Sequence, residues 1–117
     1  MKLTSHTRGL YAEMYALLYL FFKGYRILEW RYKTKLGEID IIAEYRGQLV
    51  CVEVKNRTGI KSALEAVTPT MRGRIARCAR HYLANNKRFN ATSVRFDLIA
   101  ISGIRIAHLD NAWDEPT

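Results

Sequence analysis

The stretch that decides the fold is residues 37–55, which read GEIDIIAEYRGQLVCVEVK. Residues 37–43 and 49–55 are apolar, largely β-branched runs in which charged side chains occupy alternate positions, a pattern typical of β-strands. The link between them, residues 44–48, is short and polar and contains a glycine, as the turn of a β-hairpin requires. The stretch therefore predicts two antiparallel strands joined by a tight turn.

The register of this hairpin follows from the position of its turn. If the loop has an even number of residues centred between Arg46 and Gly47, Asp40 lies opposite Glu53. Glu38 then lies opposite Lys55, on the same face of the sheet, because alternate residues point the same way. Two carboxylates directly opposite each other destabilise a hairpin by up to about 1 kcal/mol. A divalent cation held by oxygen ligands would offset this repulsion, and the lysine would stabilise a negatively charged transition state or orient a water molecule.

A simpler interpretation of the same charges is a solvated strand face, on which Glu38 and Lys55 form a cross-strand ion pair. The run 49–54 is apolar on both of its faces, which is typical of a strand that is covered rather than exposed. Carboxylates are rarely buried without a partner. The pattern therefore favours the metal site over the solvated face.

Length and charge indicate a single-domain protein and favour an anionic partner. The chain has 117 residues, enough for one domain with its own core. It carries 19 basic and 11 acidic residues, a net charge of +8, which favours nucleic acid or an anionic surface as the partner. The alternative is a basic protein without such a partner, and charge alone does not separate the two.

Cysteine usage and hydropathy indicate a cytoplasmic protein. Cys51 and Cys78 have neither metal-ligand spacing nor a disulfide framework. The three histidines are scattered and form no zinc motif. The apolar run 14–22 is too short to span a bilayer, which needs about 20 residues, and it lacks the cleavage site of a signal peptide.

The remaining segments predict an α/β protein. Residues 7–22 have the periodicity of a helix that Gly24 ends, and residues 25–32 predict a first strand. Residues 56–67 predict a loop with one helical turn. The apolar stripe expected to face the core on the first helix consists of Leu10, Met14, Leu17, Leu18 and Phe21.

A second helix is predicted to begin at Thr68, an N-cap followed by a first-turn proline, and to end near residues 85–86. Its buried stripe is expected to contain Met71, Ile75, Cys78, Ala79 and Tyr82. Strands are predicted at 94–101 and 104–109, with a loose tail from residue 110 onward.

The element order αβββαββ predicts a single domain, with a core at about 7–109. Two strands joined through a helix are parallel neighbours, so the sheet is mixed. A central mixed sheet with a helix on each face, a three-layer α/β sandwich, accounts for every apolar stripe.

The second predicted helix concentrates positive charge. Arg72, Arg74, Arg77 and Arg80 lie largely off its apolar stripe, and no acidic residue occurs anywhere in the range 70–90. Such a row suits phosphate contacts that position a nucleic acid without reading its sequence. A solvated helix face is the alternative, although such faces usually mix the two signs.

Glu13 is unusual because it lies in an apolar helix, and a buried carboxylate is costly unless it is paired or bound to a metal. It is either a metal ligand or a boundary glutamate held by Arg8 or Arg31. Its position in the sequence leaves both open.

The charged residues occur in a recognisable order: Glu13, then 37–40, then 53–55 with Arg57, then Arg-Phe-Asp at 95–97. In this order, over residues 7–109, the chain resembles the YraN-like family of predicted endonucleases. That family is related to archaeal Holliday junction resolvases within the PD-(D/E)XK nuclease superfamily. The resemblance implies a restriction-endonuclease-like fold.

The resemblance also implies roles for individual residues. Asp40 and Glu53 would bind Mg²⁺ or Mn²⁺ with the Val54 carbonyl, and Glu13 would complete the metal shell. Lys55 would contact the attacking water or the scissile phosphate, so the implied catalytic residues are Asp40, Glu53 and Lys55. Nucleic acid would be held by Arg57 together with the arginines of the second helix.

Two positions depart from the pattern of the superfamily. Ile39 stands where a proline often precedes the first aspartate, which changes little chemically. Relatives often carry a Lys-Gln pair early in the second helix, where this chain has Met71 and Arg72. That substitution argues against a polar catalytic role for this helix, while Arg72 remains able to hold a phosphate.

The expected activity is metal-dependent hydrolysis of phosphodiester bonds in DNA, with branched or otherwise structured DNA as the substrate class. Enzymes of this kind often act as dimers, so a homodimer is a further expectation. The alternative is a nucleic-acid-binding module of the same fold that has lost turnover, against which the intact acidic pair and its lysine argue. A basic membrane adaptor would need an amphipathic helix that combines a Lys/Arg-rich polar face with an aromatic apolar face, which the sequence lacks.

Overall fold

A five-stranded mixed sheet lies between helices on its two faces. The computed structural model describes residues 4–89 and 93–116. The helices are α1 (Ser5–Phe22), α2 (Ile60–Glu65) and α3 (Pro69–Ala84), followed by a short 3-10 helix (Lys87–Phe89). The strands are β1 (Arg26–Thr34), β2 (Gly37–Tyr45), β3 (Gln48–Lys55), β4 (Val94–Ser102) and β5 (Arg105–Trp113). They adjoin in the order β1-β2-β3-β4-β5, and the predicted α/β sandwich is confirmed.

The β2–β3 hairpin has the predicted register. Its two-residue turn consists of Arg46 and Gly47, which have φ values of 52° and 79°, the left-handed conformation that tight hairpin turns require. Ile41 pairs with Val52 and Ala43 pairs with Val50, as a turn at this position demands. The predicted position of the hairpin turn and the predicted pairing of its strands are therefore both confirmed.

The connection between β3 and β4 runs through α2 and α3 and makes these two strands parallel. The Thr68 hydroxyl accepts a hydrogen bond from the Met71 N–H at 3.2 Å, which caps α3 as predicted. Ile75, Cys78 and Ala79 of α3 are buried against the sheet. The segment predicted as a loop contains the six-residue helix α2.

Helix α1 presents a different face to the sheet from the one predicted. Its buried residues are Ala12, Ala16 and Leu20, whereas three members of the predicted stripe, Met14, Leu18 and Phe21, are exposed. The helix is apolar almost all round, so periodicity alone does not identify its inner face, and the two alanines allow close approach to the sheet. Within the described residues, no helix has the length and apolar character needed to cross a membrane.

Strand β5 continues four residues past its predicted end at 109, so the expectation of a loose tail from residue 110 was wrong. Trp113 is buried and stacks on Phe96 of β4, with 5.8 Å between ring centroids. Glu115 forms an ion pair with Arg80 of α3. The aromatic stack extends the core to the end of the sheet, because a buried tryptophan contributes a large apolar area.

Removing this aromatic contact tests whether the end of the chain belongs to the core. We expect Trp113→Ala to lower the free energy of unfolding by about 3–5 kcal/mol, the usual cost of truncating a buried aromatic side chain. Asp114→Ala, at an exposed neighbouring position, should change it by less than about 0.5 kcal/mol. Urea denaturation measures both. If Trp113→Ala lowered the free energy of unfolding as little as is expected for Asp114→Ala, the segment would contribute nothing to the fold.

Candidate active site

The acidic residues of the β2–β3 hairpin line a cleft of about 470 Å³ between the sheet and α3. The cleft lies at the edge of the sheet where β2 begins and β3 ends. Glu38, Asp40, Glu53 and Lys55, which the sequence predicted on one face, all line it. The other side chains that matter for its charge are Lys33 of β1 and Arg74 of α3. The hairpin therefore brings the predicted catalytic residues into one cavity.

Asp40 and Glu53 are joined by two crossed hydrogen bonds. The Asp40 N–H donates to Glu53 Oε2 at 3.1 Å, and the Val54 N–H donates to Asp40 Oδ2 at 2.9 Å. The regular pairing of β2 with β3 stops one residue earlier, at Ile41 and Val52. Side-chain carboxylates thus accept the N–H groups at this point, which fixes the two side chains against the strands.

The backbone departs from regular β-structure at Asp40 and at Arg31, the residue beside it in β1. Ile39 packs in the core on the α3 side of the sheet, whereas Ile41, two residues on, packs in the core on the α1 side. In β1, Arg31 has a φ of 58°, a left-handed conformation that is uncommon outside glycine and costs about 1–3 kcal/mol. Such local strain is concentrated at functional sites.

Burial makes the negative charges of this pair costly. Glu53 is 5% exposed, and burial together with the charge of Asp40 raises its pKa well above the usual range. Burial also raises the pKa of Asp40 to about 6, although the hydrogen bond from Val54 opposes the shift. Lys55 lowers the pKa of both groups, but less than burial raises them. The protein alone therefore does not stabilise the ionised form of either carboxyl group.

Glu13 is held by β1 rather than by the hairpin. Its carboxylate accepts hydrogen bonds from Arg31 Nε at 2.9 Å, Arg31 Nη2 at 3.2 Å and Trp30 Nε1 at 2.9 Å. Of the interpretations that the sequence left open, the pair with Arg31 is the one observed. The charge of Glu13 still contributes to the raised pKa of Asp40. Its role as a metal ligand stays a prediction, and binding a metal would compete with Arg31.

The donor set suits a hard divalent ion. Within residues 4–89 and 93–116, no three or more His, Cys, Asp or Glu side chains converge as a metal-binding group. Mg²⁺ is commonly held by only one or two protein carboxylates, with water and substrate phosphate supplying the other oxygens. Asp40 and Glu53 meet this requirement, and Val54 lies at the same point of β3.

The arginines of α3 do not act as one row. Arg74 lines the cleft, and Arg77 is exposed beside it on the helix. Arg72 donates from Nε to the Val67 carbonyl at 3.1 Å and lies over the Trp113 ring. Arg80 is bound by Glu115. Phosphate binding by these residues stays a prediction, and Arg72 and Arg80 already have partners within the chain.

A second buried carboxylate, Asp97, has partners that compensate its negative charge. It accepts hydrogen bonds at 2.8 Å from Arg95 Nε and Nη2, at 2.8 Å from His108 Nε2 and at 3.0 Å from the Asn111 N–H. Burial would raise its pKa, but these bonds outweigh burial and the pKa is lowered. The sequence indicated Asp97 only as part of a motif, because its contact with His108 depends on the pairing of β4 with β5 and Asn111 lies beyond the predicted end of β5.

The fold and the cleft together define an α/β protein with a mixed sheet and a buried carboxylate pair at one sheet edge. Residues 12–101 match the model of the Uncharacterised protein family UPF0102, and the chain belongs to this family. A UPF0102 protein of Caulobacter sp. (strain K31) is 51% identical over 106 residues, covering 90% of this chain and 76% of the relative. One from Rhizobium meliloti (strain 1021) is 46% identical over 114 residues, with 96% and 93% covered.

The charge on Asp40 should make the metal-free fold less stable at neutral pH. Its pKa of about 6 lies above the usual 3.8, so the protonated acid favours the folded state. This contribution is complete below about pH 4 and is lost as the pH rises through about 6. We expect the wild-type Tm in EDTA to be about 5 °C higher at about pH 5 than at about pH 7.5.

Asp40→Asn should show a smaller difference in Tm between the two pH values, because it removes the titrating group. Glu29→Gln, at an exposed position of β1, is the matched control and should behave like wild type. Thermal unfolding followed by circular dichroism gives the comparison. An unchanged pH dependence in Asp40→Asn would contradict the assignment.

Proposed function

We propose that this protein is a metal-dependent nuclease of the YraN-like, PD-(D/E)XK type that hydrolyses phosphodiester bonds in DNA. The observation that carries the proposal is the carboxylate pair Asp40 and Glu53, which is buried beside Lys55 in an open cleft without partners that compensate its charged form. Like-charged buried carboxylates with raised pKa values are typical of functional sites. Branched or otherwise structured DNA is the proposed substrate class, and the cytoplasm the proposed location.

The contrast between the two acidic sites supports a functional role for the pair. Asp97 has an arginine, a histidine and a backbone N–H as partners. Asp40 and Glu53 each accept one backbone N–H and otherwise repel each other. A carboxylate that only stabilises the fold needs partners such as those of Asp97, because an uncompensated buried charge is destabilising. The pair therefore lacks the partners of a structural site.

Each residue of the cleft has a defined task in this proposal. Asp40 and Glu53 would hold Mg²⁺ or Mn²⁺, with the Val54 carbonyl as a third oxygen ligand. The bound ion would polarise the phosphoryl group and lower the pKa of a coordinated water. The Lys55 ammonium would stabilise the negative charge that develops on the phosphate. Arg74 and Lys33, which also line the cleft, would bind the neighbouring phosphates.

A nucleic-acid-binding module without turnover is the second candidate function. The net charge of +8 supports nucleic-acid binding in both cases. The retained lysine favours the enzyme, since a module that only binds gains nothing from two repelling carboxylates in the path of a phosphate. Lys55 therefore separates the two functions experimentally.

We expect Lys55→Ala to reduce the rate of DNA cleavage by about 100-fold or more, while DNA binding weakens only slightly. The reason is that Lys55 acts mainly on charge that develops in the transition state. Lys61→Ala, which removes the same charge from an exposed position of α2, should keep wild-type activity. The assay uses linear, flapped and four-way DNA with Mn²⁺. If wild type cuts none of these substrates but binds them as tightly as Lys55→Ala does, the proposed nuclease activity is rejected in favour of a nucleic-acid-binding module.

The proposal includes a homodimer, for which the surface of α1 provides support. Five large apolar side chains, 52–81% exposed, form what we name the apolar α1 face. They are Tyr11, Met14, Leu18, Phe21 and Phe22. With about 200 Å² for a large side chain, this face exposes about 600 Å² per copy. Two copies would bury about 1,200 Å², the lower bound of a stable interface.

Charge also favours a second copy on this face. The chain carries a net charge of +8, so most contacts between two copies would be repulsive. In α1, however, the charged side chains are one arginine and one glutamate, Arg8 and Glu13. The spacing of three and four residues between Tyr11, Met14 and Leu18 is that of helices that pair side by side.

Sedimentation equilibrium measures the oligomeric state directly. We expect wild type at about 100 μM to have twice the chain mass of 13.6 kDa, and Leu18→Glu with Phe22→Glu to be monomeric, since the charges would lie in the interface. Ile104→Glu, at an equally exposed apolar side chain in the β4–β5 turn, should remain dimeric. A monomeric wild type would exclude this dimer.

A further inference from the structure

Two further clefts continue from the active-site cleft along the same edge of the sheet. Lys55 lines both the active-site cleft and a second cleft of about 440 Å³, which also contains Arg8 and Arg57. Arg57 in turn lines a third cleft of about 380 Å³, together with Arg105. Because neighbouring clefts share a side chain, the three lie next to one another and form a path of adjacent clefts along this edge.

The charge along this path changes from mixed to positive. The active-site cleft contains the acidic residues Glu38, Asp40 and Glu53. Of the described residues, those that line the second and third clefts include no acidic side chain. The basic residues Lys55, Arg57 and Arg105, which we name the basic edge, form none of the ion pairs found among the described residues. Their charges are available to an external anion.

The topology explains why these residues meet. The parallel strands β3 and β4 end at this edge and β5 begins there, with Ser102 paired to Arg105. Ligands of open α/β sheets bind outside the carboxyl ends of the parallel strands. Thr58 and Ser102, whose hydroxyls lie 3.4 Å apart, add uncharged donors beside the arginines. Arginines and hydroxyls are the side chains that most often contact nucleic-acid phosphates.

We propose that the basic edge holds one strand of the nucleic acid on one side of the scissile phosphate, leading from Lys55 past Arg57 to Arg105. This inference rests on the proposed function for the position of the scissile phosphate at Lys55. Sheet strands lie about 4.8 Å apart, so the distance from β3, which ends at Lys55, to β5, which begins at Arg105, is about 10 Å. At about 3.4 Å per nucleotide along one strand of a duplex, the basic edge accommodates about three nucleotides.

The experiment compares two double variants that remove equal charge from opposite edges of the sheet. Arg57→Ala with Arg105→Ala changes the basic edge. Arg26→Ala with Arg88→Ala changes the opposite edge, where both arginines pair with Glu44. Both double variants lower the net charge by the same amount, so any difference between them reports local contacts rather than the overall field.

Binding is measured by fluorescence anisotropy with labelled 12-nucleotide single strands, in EDTA and at several salt concentrations. The basic-edge variant should bind about tenfold more weakly than wild type, and its slope of log K against log salt should fall by about 1.4, the value for two lost phosphate contacts. The opposite-edge variant should keep the wild-type slope. Arg57→Lys with Arg105→Lys should restore most of the affinity, because lysine also contacts phosphates.

Equal losses of affinity and slope in the two double variants would overturn the proposal, since overall charge would then explain all binding. A DNA and an RNA strand of the same sequence are measured in parallel to identify the sugar of the preferred ligand. The proposal is supported if, with either strand, the basic-edge variant loses more affinity than the opposite-edge variant. Because EDTA removes divalent metal, this result is independent of cleavage. A protein that never cuts DNA can still pass the test, and an active nuclease can still fail it.

Discussion

The structure depends on the register of the β2–β3 hairpin, which the two-residue turn at 46–47 sets. In this register Asp40 and Glu53 meet and each accepts an N–H from the neighbouring strand. A shift by one residue would move one carboxylate to the other face of the sheet, and the cleft would lose its acidic pair. The apolar residues of the same strands oppose such a shift, because Val50 and Val52 of the core on the α1 side would exchange faces with Cys51 of the core on the α3 side.

The two buried acidic sites of this protein represent opposite uses of a carboxylate. Asp97 ties β4 to β5 through Arg95, His108 and the Asn111 N–H, and its lowered pKa indicates a charge that the fold compensates. Asp40 and Glu53 have raised pKa values, so the fold does not compensate their charged forms. Natural proteins retain such destabilising groups where a function requires them. This difference between the sites, more than the overall charge, supports a metal-dependent role.

The strands, α3 and the acidic pair were predictable because their signals are local: turn residues, an N-cap and alternating side chains. The inner face of α1 was not, since Met14, Leu18 and Phe21 are as apolar as the residues that are buried, and only packing selects Ala12 and Ala16. The sequence named Arg31 as one possible partner of Glu13 but did not select it, because that choice depends on how α1 packs against β1. The Arg80–Glu115 contact depends on the end of β5, whose anchor Trp113 follows polar residues.

Calorimetric titration with Mn²⁺ tests most directly the claim that Asp40 and Glu53 form a metal site. We expect wild type and Glu29→Gln to bind the ion, and Asp40→Asn and Glu53→Gln to lose binding. Both of these variants should remain folded and at least as stable as wild type, because removal of either charge relieves the repulsion between the strands. Equal Mn²⁺ affinity in wild type and in both variants would contradict the metal site, whatever the protein does to DNA.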